Sequence, residues 1–174
     1  MFFEEHAKLL ADFARVSQAA GARADYVQGG GGNTSVKLPG GLMAIKASGF
    51  CLSDIHPDQA YAVLDGADLR NFYLTTEPSE LADVEKEGSA RAKADVRHID
   101  GLADLRPSVE AGFHSILKTF VVHTHSVYAN LAACSTACRP IAAQAFAGAN
   151  YTWGWVPYTC LLYTSPSPRD RQKS

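Results

Sequence analysis

The run Phe120-Val121-Val122, followed at once by His123-Thr124-His125, constrains this chain more than any other stretch. The apolar run predicts a short buried strand. Alternation along a strand sends residues two apart to the same face, so both imidazoles project together. At roughly 7 Å along the strand, they can share one metal ion. Two histidines do not complete a zinc site, which takes at least three protein ligands, and each could equally be an ordinary core or surface residue. Upstream, Arg106-Pro107-Ser108-Val109-Glu110 leads into a helix expected to run from a Ser108 cap to about Lys118. Glu110, in its first turn, either complements the helix dipole or supplies a carboxylate beside the metal. A metal with a nearby carboxylate can move a proton next to a polarised carbonyl. His114, four residues after Glu110, shares its face and reads as core packing.

A second feature is Gly29-Gly30-Gly31-Gly32-Asn33-Thr34-Ser35, approached by the strand-like Asp25-Tyr26-Val27-Gln28. Consecutive glycines let the backbone come close to a ligand and turn N–H groups toward an anion; they could as well form a flexible hairpin loop. The spacing fits neither a Walker A loop nor a dinucleotide fingerprint, because a strand, not a helix, follows. Pro39-Gly40-Gly41 turns that strand back through Leu42–Lys46 to Ala47-Ser48-Gly49. Gly32-Asn33-Thr34 and Ser48-Gly49 therefore flank one pair of strands, an arrangement suited to a phosphate or carboxylate pocket.

Around these features, the pattern predicts an amphipathic helix over residues 2–20 ending at Gly21, a short helix over 57–60 and a strand over 61–64. Residues 65–104 read as a charged, helix-containing excursion at the surface, with His98 exposed. Helices over 126–138 and 140–146 and an aromatic strand over 151–156 follow. Helices alternating with strands and hairpins give an α/β domain with a mixed sheet.

At 174 residues, 47% hydrophobic and 20% charged, the chain suits one soluble domain. Its net charge of −2 gives no basic surface for nucleic acid. No apolar run approaches the roughly 18 residues of a membrane span. The N-terminus carries Glu4 and Glu5 where a signal peptide needs a basic start, which points to the cytoplasm. Cys51, Cys134, Cys138 and Cys160 form no CxxC pair and read as reduced, small buried hydrophobes. Leu161–Ser174 lacks periodicity and resembles a translated sequencing adaptor. The expected division is a domain over 1–159, truncated at its C-terminus, and a non-native tail over 160–174.

The ordered blocks Tyr26–Ser35, Lys46–Gly49, Arg106–Glu110, Val121–Ser126 and Trp155–Tyr158 resemble the class II aldolase/adducin N-terminal domain family, nearest its bacterial sugar-phosphate aldolase-like members. The resemblance implies a three-layer α/β/α sandwich with a largely antiparallel central sheet. It implies a Zn²⁺-dependent lyase that splits a ketose 1-phosphate into dihydroxyacetone phosphate and an aldehyde, commonly as a homotetramer. On this resemblance His123 and His125 fall on two zinc ligands and Glu110 on the acid/base, with a pKa raised by desolvation. Gly32, Asn33, Thr34, Ser48, Gly49 and Ser108 fall on the loops that cradle the substrate phosphate. The family's third zinc histidine lies downstream of the pair, and this chain has no histidine after His125. The chain as written is therefore expected to bind zinc weakly and to be inactive. An epimerase or decarboxylase of the same family, or a metal-free adducin-like interaction module, are the alternative functions; Glu110, His123 and His125 together argue against the module.

Overall fold

The computed structural model describes residues 1–156; residues 157–174, with the expected junction near Cys160, lie outside the described part. Helix α1 spans Phe2–Gly21 and buries His6, Leu10, Phe13, Ala14, Ser17 and Ala20, spaced by three or four residues along one face. Glu4 and Glu5 lie in its first turn, where carboxylates favour the helix dipole. The helix ends where a Cβ at Gly21 would come within 2.7 Å of Ser53 N, so this end packs closely on the 3-10 turn Leu52–Asp54.

Strands β1 (Asn33–Lys37), β2 (Leu42–Lys46), β3 (Tyr61–Asp65) and β4 (Phe120–His123) form one sheet in the order β3-β2-β1-β4. Every pairing is antiparallel, so the described sheet is not mixed. Strict alternation divides its side chains into two cores. Val36, Ala44, Tyr61 and Val63 face α1 and pack with Leu10 and Phe13. Met43, Ile45 and Leu64 face the other way and pack with Leu69, Ala92 and Ala111. Those partners come from α2 (Gly66–Thr75), α3 (Val84–Ala94) and α4 (Ala111–Ile116), which form the third layer. The expected sandwich is thus present.

The excursion over 65–104 differs from its sequence reading. Charges do dominate α3, but Leu69 and Ala92 each turn one small apolar face to the sheet, and that face carries the second core. Tyr73 on α2 lies against both Gly88 and Gly112, where any Cβ would run into its ring. Gly112→Ala is expected to cost about 1–3 kcal/mol of stability by overpacking. A urea melt checks this, and removing the ring with Tyr73→Ala should make the second change nearly free.

Other elements shift as well. Residues 57–60 form a turn closed by the His56–Gln59 pair, and not a helix. Residues 151–156 form no strand, and none of the described strands pairs with them. Helix α5 spans Val127–Ala133, with the Ser126 hydroxyl accepting from Ala129 N–H, and α6 spans Cys138–Ala145. Neither buries a residue; Cys134 is exposed and Cys138 only partly covered, so this pair does not belong to the core. No helix among the described residues is long and apolar enough to cross a membrane.

Candidate metal and anion site

Alternation on β1 decides which polar residues can meet. Asn33, Ser35 and Lys37 turn to the α4 side of the sheet, whereas Thr34 turns to α1. Each of the first three engages the segment that carries Glu110. Asn33 Nδ2 donates to Glu110 Oε2 at 2.8 Å, and Ser35 Oγ lies 2.8 Å from His114 Nδ1. The Lys37 ammonium donates to the His114 carbonyl. Pairing of Asn33 with His123 across β1 and β4 then brings the first imidazole to the same place.

Glu110 is the N-cap residue of α4, not a first-turn residue, and its side chain makes no cap bond. The backbone turns early because Ser108 Oγ accepts from the Glu110 N–H (3.3 Å), so Ser108 bonds Glu110 itself and caps no helix. The Ser108 hydroxyl also donates to Glu110 Oε2 at 3.4 Å. The carboxylate is thereby held from two sides and freed toward the imidazoles. His123 Nδ1 lies 3.0 Å from Glu110 Oε1.

Burial pushes the Glu110 pKa up, as expected, but the neighbours win. The His123 ring, the Asn33 amide and the charges of His123 and His114 hold it at about 2. The sequence signal could show a carboxyl near a core, not what surrounds it. His114 is fully buried, and desolvation pushes its imidazole down to about 3 against the pull of Glu110. It is a core residue as expected, and also one of three, with Glu110 and His123, whose donor atoms all lie within 4.8 Å of one another. A carboxylate with two imidazoles is a donor set suited to zinc. His125 lies past the end of β4 on an exposed linker, its ring centroid 4.9 Å from that of His123, outside that group of three.

The loops converge next to this cluster. Gly32 adopts φ +72°, and a Cβ there would meet Val27 Cγ1 at 2.6 Å and the His123 carbonyl at 2.9 Å, so only glycine lets the loop pass. Gly31 N–H is taken by the Gln28 carbonyl, which makes the loop a tied turn, not an open row of donors. Lys46, buried at 4% exposure, donates to the carbonyls of Gly30 (3.3 Å) and Phe50 (2.7 Å) and binds the glycine loop to residues 47–50. Burial lowers its pKa, while Glu110, Cys51 and Asp54 pull the other way. Ser48 N–H donates to the Arg106 carbonyl (2.9 Å), and the Arg106 guanidinium donates to Ser48 Oγ (3.0 Å). Ser48 is thereby tied to Arg106, two residues before Ser108.

Two residues of the expected phosphate set are committed elsewhere. Thr34 is buried with its hydroxyl 2.7 Å from Ser17 Oγ, in the α1 interface. Asn33 is fully buried and spends its amide on Glu110. Ser35 and Lys46 both stand in the motifs the sequence singles out, Ser35 beside Asn33 and Thr34 at the glycine loop and Lys46 at the head of the Lys46–Gly49 block. The pairing of Ser35 with His114 and the bridging of two loops by Lys46 were not legible there. His98, by contrast, is exposed between Asp100 and Asp104, as expected.

This architecture has a counterpart among solved structures. The N-terminal class II aldolase domain of a conserved protein from Thermoplasma acidophilum superposes with a TM-score of 0.63 at 21% identity, covering 76% of this chain and 62% of that one. YgbL from Escherichia coli, which carries a provisional aldolase/epimerase/decarboxylase description, gives 0.49 at 21% identity over 74% of this chain and 49% of its own. The chain thus spans 62% of the length of the Thermoplasma structure. Among curated proteins, none matches. The family profile described as the class II aldolase and adducin N-terminal domain matches residues 11–165, and the chain belongs to that family.

Proposed function

We propose that this chain carries the metal and phosphate half of a zinc-dependent, class II aldolase-type lyase acting on a ketose 1-phosphate. The observation that supports this most is the Glu110 carboxylate, fixed by Asn33 and Ser108 beside two imidazoles. Such an arrangement has no purpose in a metal-free interaction module. When bound, zinc would polarise the substrate ketone and stabilise the charge left beside it by C–C cleavage.

The residues of the chain supply the remainder. Glu110, ionised across neutral pH, accepts or returns the proton at the hydroxymethyl carbon of dihydroxyacetone phosphate. Asn33 and Ser108 keep one carboxylate oxygen occupied, which aims the other at the reacting side. The Lys46 charge, with the backbone around Ser48-Gly49 and Gly32, favours a phosphate there. A homotetramer belongs to the same reading, supported by Phe120, Val122, Tyr128 and Leu131, which stand exposed on β4 and α5.

The test is the half-reaction that needs only these groups. The missing downstream histidine predicts an inactive chain, but Glu110, His114 and His123 bring three donor groups together. On this reading the chain with zinc present catalyses deuterium exchange from solvent into the hydroxymethyl carbon of dihydroxyacetone phosphate, followed by proton NMR; no exchange would uphold the inactive expectation. A chelator should stop the exchange and zinc restore it. Zinc-loaded protein that exchanges no deuterium, yet epimerises or decarboxylates a phosphorylated sugar acid, would turn the assignment to those activities.

A further inference from the structure

We propose that the cleft between α3 and the segment Arg106–Val109 is a second binding site, which takes a small organic anion by its carboxylate. The site lies outside the Glu110 cluster and requires neither the metal nor the lyase reading.

The cleft encloses about 230 Å³. Ser89, Ala92 and Lys93 line it from α3, three and four residues apart and so on one face of that helix. Arg106, Pro107 and Val109 line it from the other side. Both walls are fixed by contacts elsewhere. Ala92 is buried in the core it shares with Ala111. Pro107 pairs with Ala47 just after β2, and the Ser48 N–H donates to the Arg106 carbonyl.

Charge says what enters. The two charged residues lining the cleft, Lys93 and Arg106, are both cations. Their neighbours Arg91 and Arg97 are paired, the first with Asp68 and Asp95 and the second with Asp65. Lys93 and Arg106 have no acidic partner among the described side chains. A lysine in the last turn of a helix is ordinarily solvated and steadied by the helix dipole. What sets Lys93 apart is a guanidinium lining the same cleft, because two cations repel and an anion between them relieves the repulsion. Arg106 Nη2 donates to Ser48 Oγ at 3.0 Å, which holds the guanidinium by one N–H and leaves four for a ligand. Its planar fork matches a carboxylate.

Size and walls narrow the class further. The cleft is smaller than the roughly 300–1,000 Å³ of sites for drug-sized ligands. Ala92, Pro107 and Val109 add hydrocarbon to its lining. An anion of a few carbons satisfies both, with its short apolar body against these walls; inorganic phosphate would leave them uncovered. A carboxylate on Arg106 also competes with Ser48 Oγ for the guanidinium. Ser108 lines the same cleft and donates to Glu110 Oε2, so an occupant touches the segment that carries the carboxylate. Its role is that of an effector, not a substrate.

The test is a ¹H–¹⁵N NMR titration of the chain with sodium propionate, with sodium phosphate and sodium chloride at matched ionic strength as the other arms. Propionate should give saturable shifts at the amides of Ser89, Lys93 and Arg106, with Ser48 following, and a Kd of roughly millimolar for so few atoms. Arg106→Gln should weaken binding by about tenfold or more, and Lys93→Gln by a smaller factor. Circular dichroism controls the folding of each variant, and the wild-type shift map stands without them. Shifts at Gly31, Asn33 and Gly49 that spare Ser89 and Lys93 would place the anion at the glycine loop and overturn the proposal. Equal shifts with chloride would reduce it to screening, and no saturable shift at all would leave the cleft without a ligand; both overturn it. Phosphate that saturates the cleft where propionate does not would overturn the carboxylate assignment.

Discussion

Replacing Glu110 by Gln should slow the zinc-dependent exchange of solvent deuterium into dihydroxyacetone phosphate by about 10²–10⁴-fold, the usual contribution of a positioned acid/base. The substitution keeps the shape of the side chain. Its amide oxygen can still accept from Asn33 Nδ2 and Ser108 Oγ, the two donors that hold the carboxylate now. What disappears is the basic oxygen facing His123. Exchange must be compared at saturating zinc, because the carboxylate is also within the proposed ligand group and its loss weakens metal binding. Under those conditions a loss confined to the rate identifies proton transfer. Exchange at the wild-type rate would remove Glu110 from the chemistry, and the lyase reading would lose its base.

The second large effect is acid lability of the metal-free protein. The His114 imidazole titrates near 3 in the folded chain against 6.5 as its ordinary value, because burial disfavours the charged ring. The unfolded chain therefore takes up this proton first. Stability is complete above about pH 6.5 and falls as pH drops from 6.5 toward 3. At about 1.4 kcal/mol per unit, the loss reaches roughly 3 kcal/mol by pH 4. Glu110 adds to it with the same sign over a lower window: its folded pKa of about 2 lies below the ordinary 4.5, so its contribution disappears as pH falls through that range. Urea melts of the chelator-treated protein at a series of pH values measure the slope. His114→Gln should flatten the part above pH 4.5, and a wild-type profile already flat between pH 6.5 and pH 4.5 would show that His114 is not buried as a neutral ring.

How these residues find one another explains what could be read from the chain. The apolar strand ending in His123, the carboxylate four residues before His114, and the glycine loop are local patterns, and each survives in the structure as an element boundary or turn. The contacts that give them chemistry are not local. Asn33 meets Glu110 across 77 residues of sequence, and Ser35 meets His114 across 79. Strand alternation predicts that Asn33 and Thr34 face opposite ways, yet nothing in it says which face α4 covers. That choice sends Asn33 to Glu110 and Thr34 to Ser17.

By itself, the sequence determined the α/β character and the antiparallel hairpin of β1 and β2, because periodicity and turn chemistry are carried by adjacent residues, and its ordered motif blocks, with Glu110 and His123 among them, carried the resemblance to the family. Only the tertiary structure decided that His114 belongs with them, that Lys46 is buried between two loops, and that the Glu110 pKa goes down and not up. Those outcomes depend on desolvation and on charges a few ångströms away through space, and the packing of α2, α3 and α4 against the sheet is what brings such groups together.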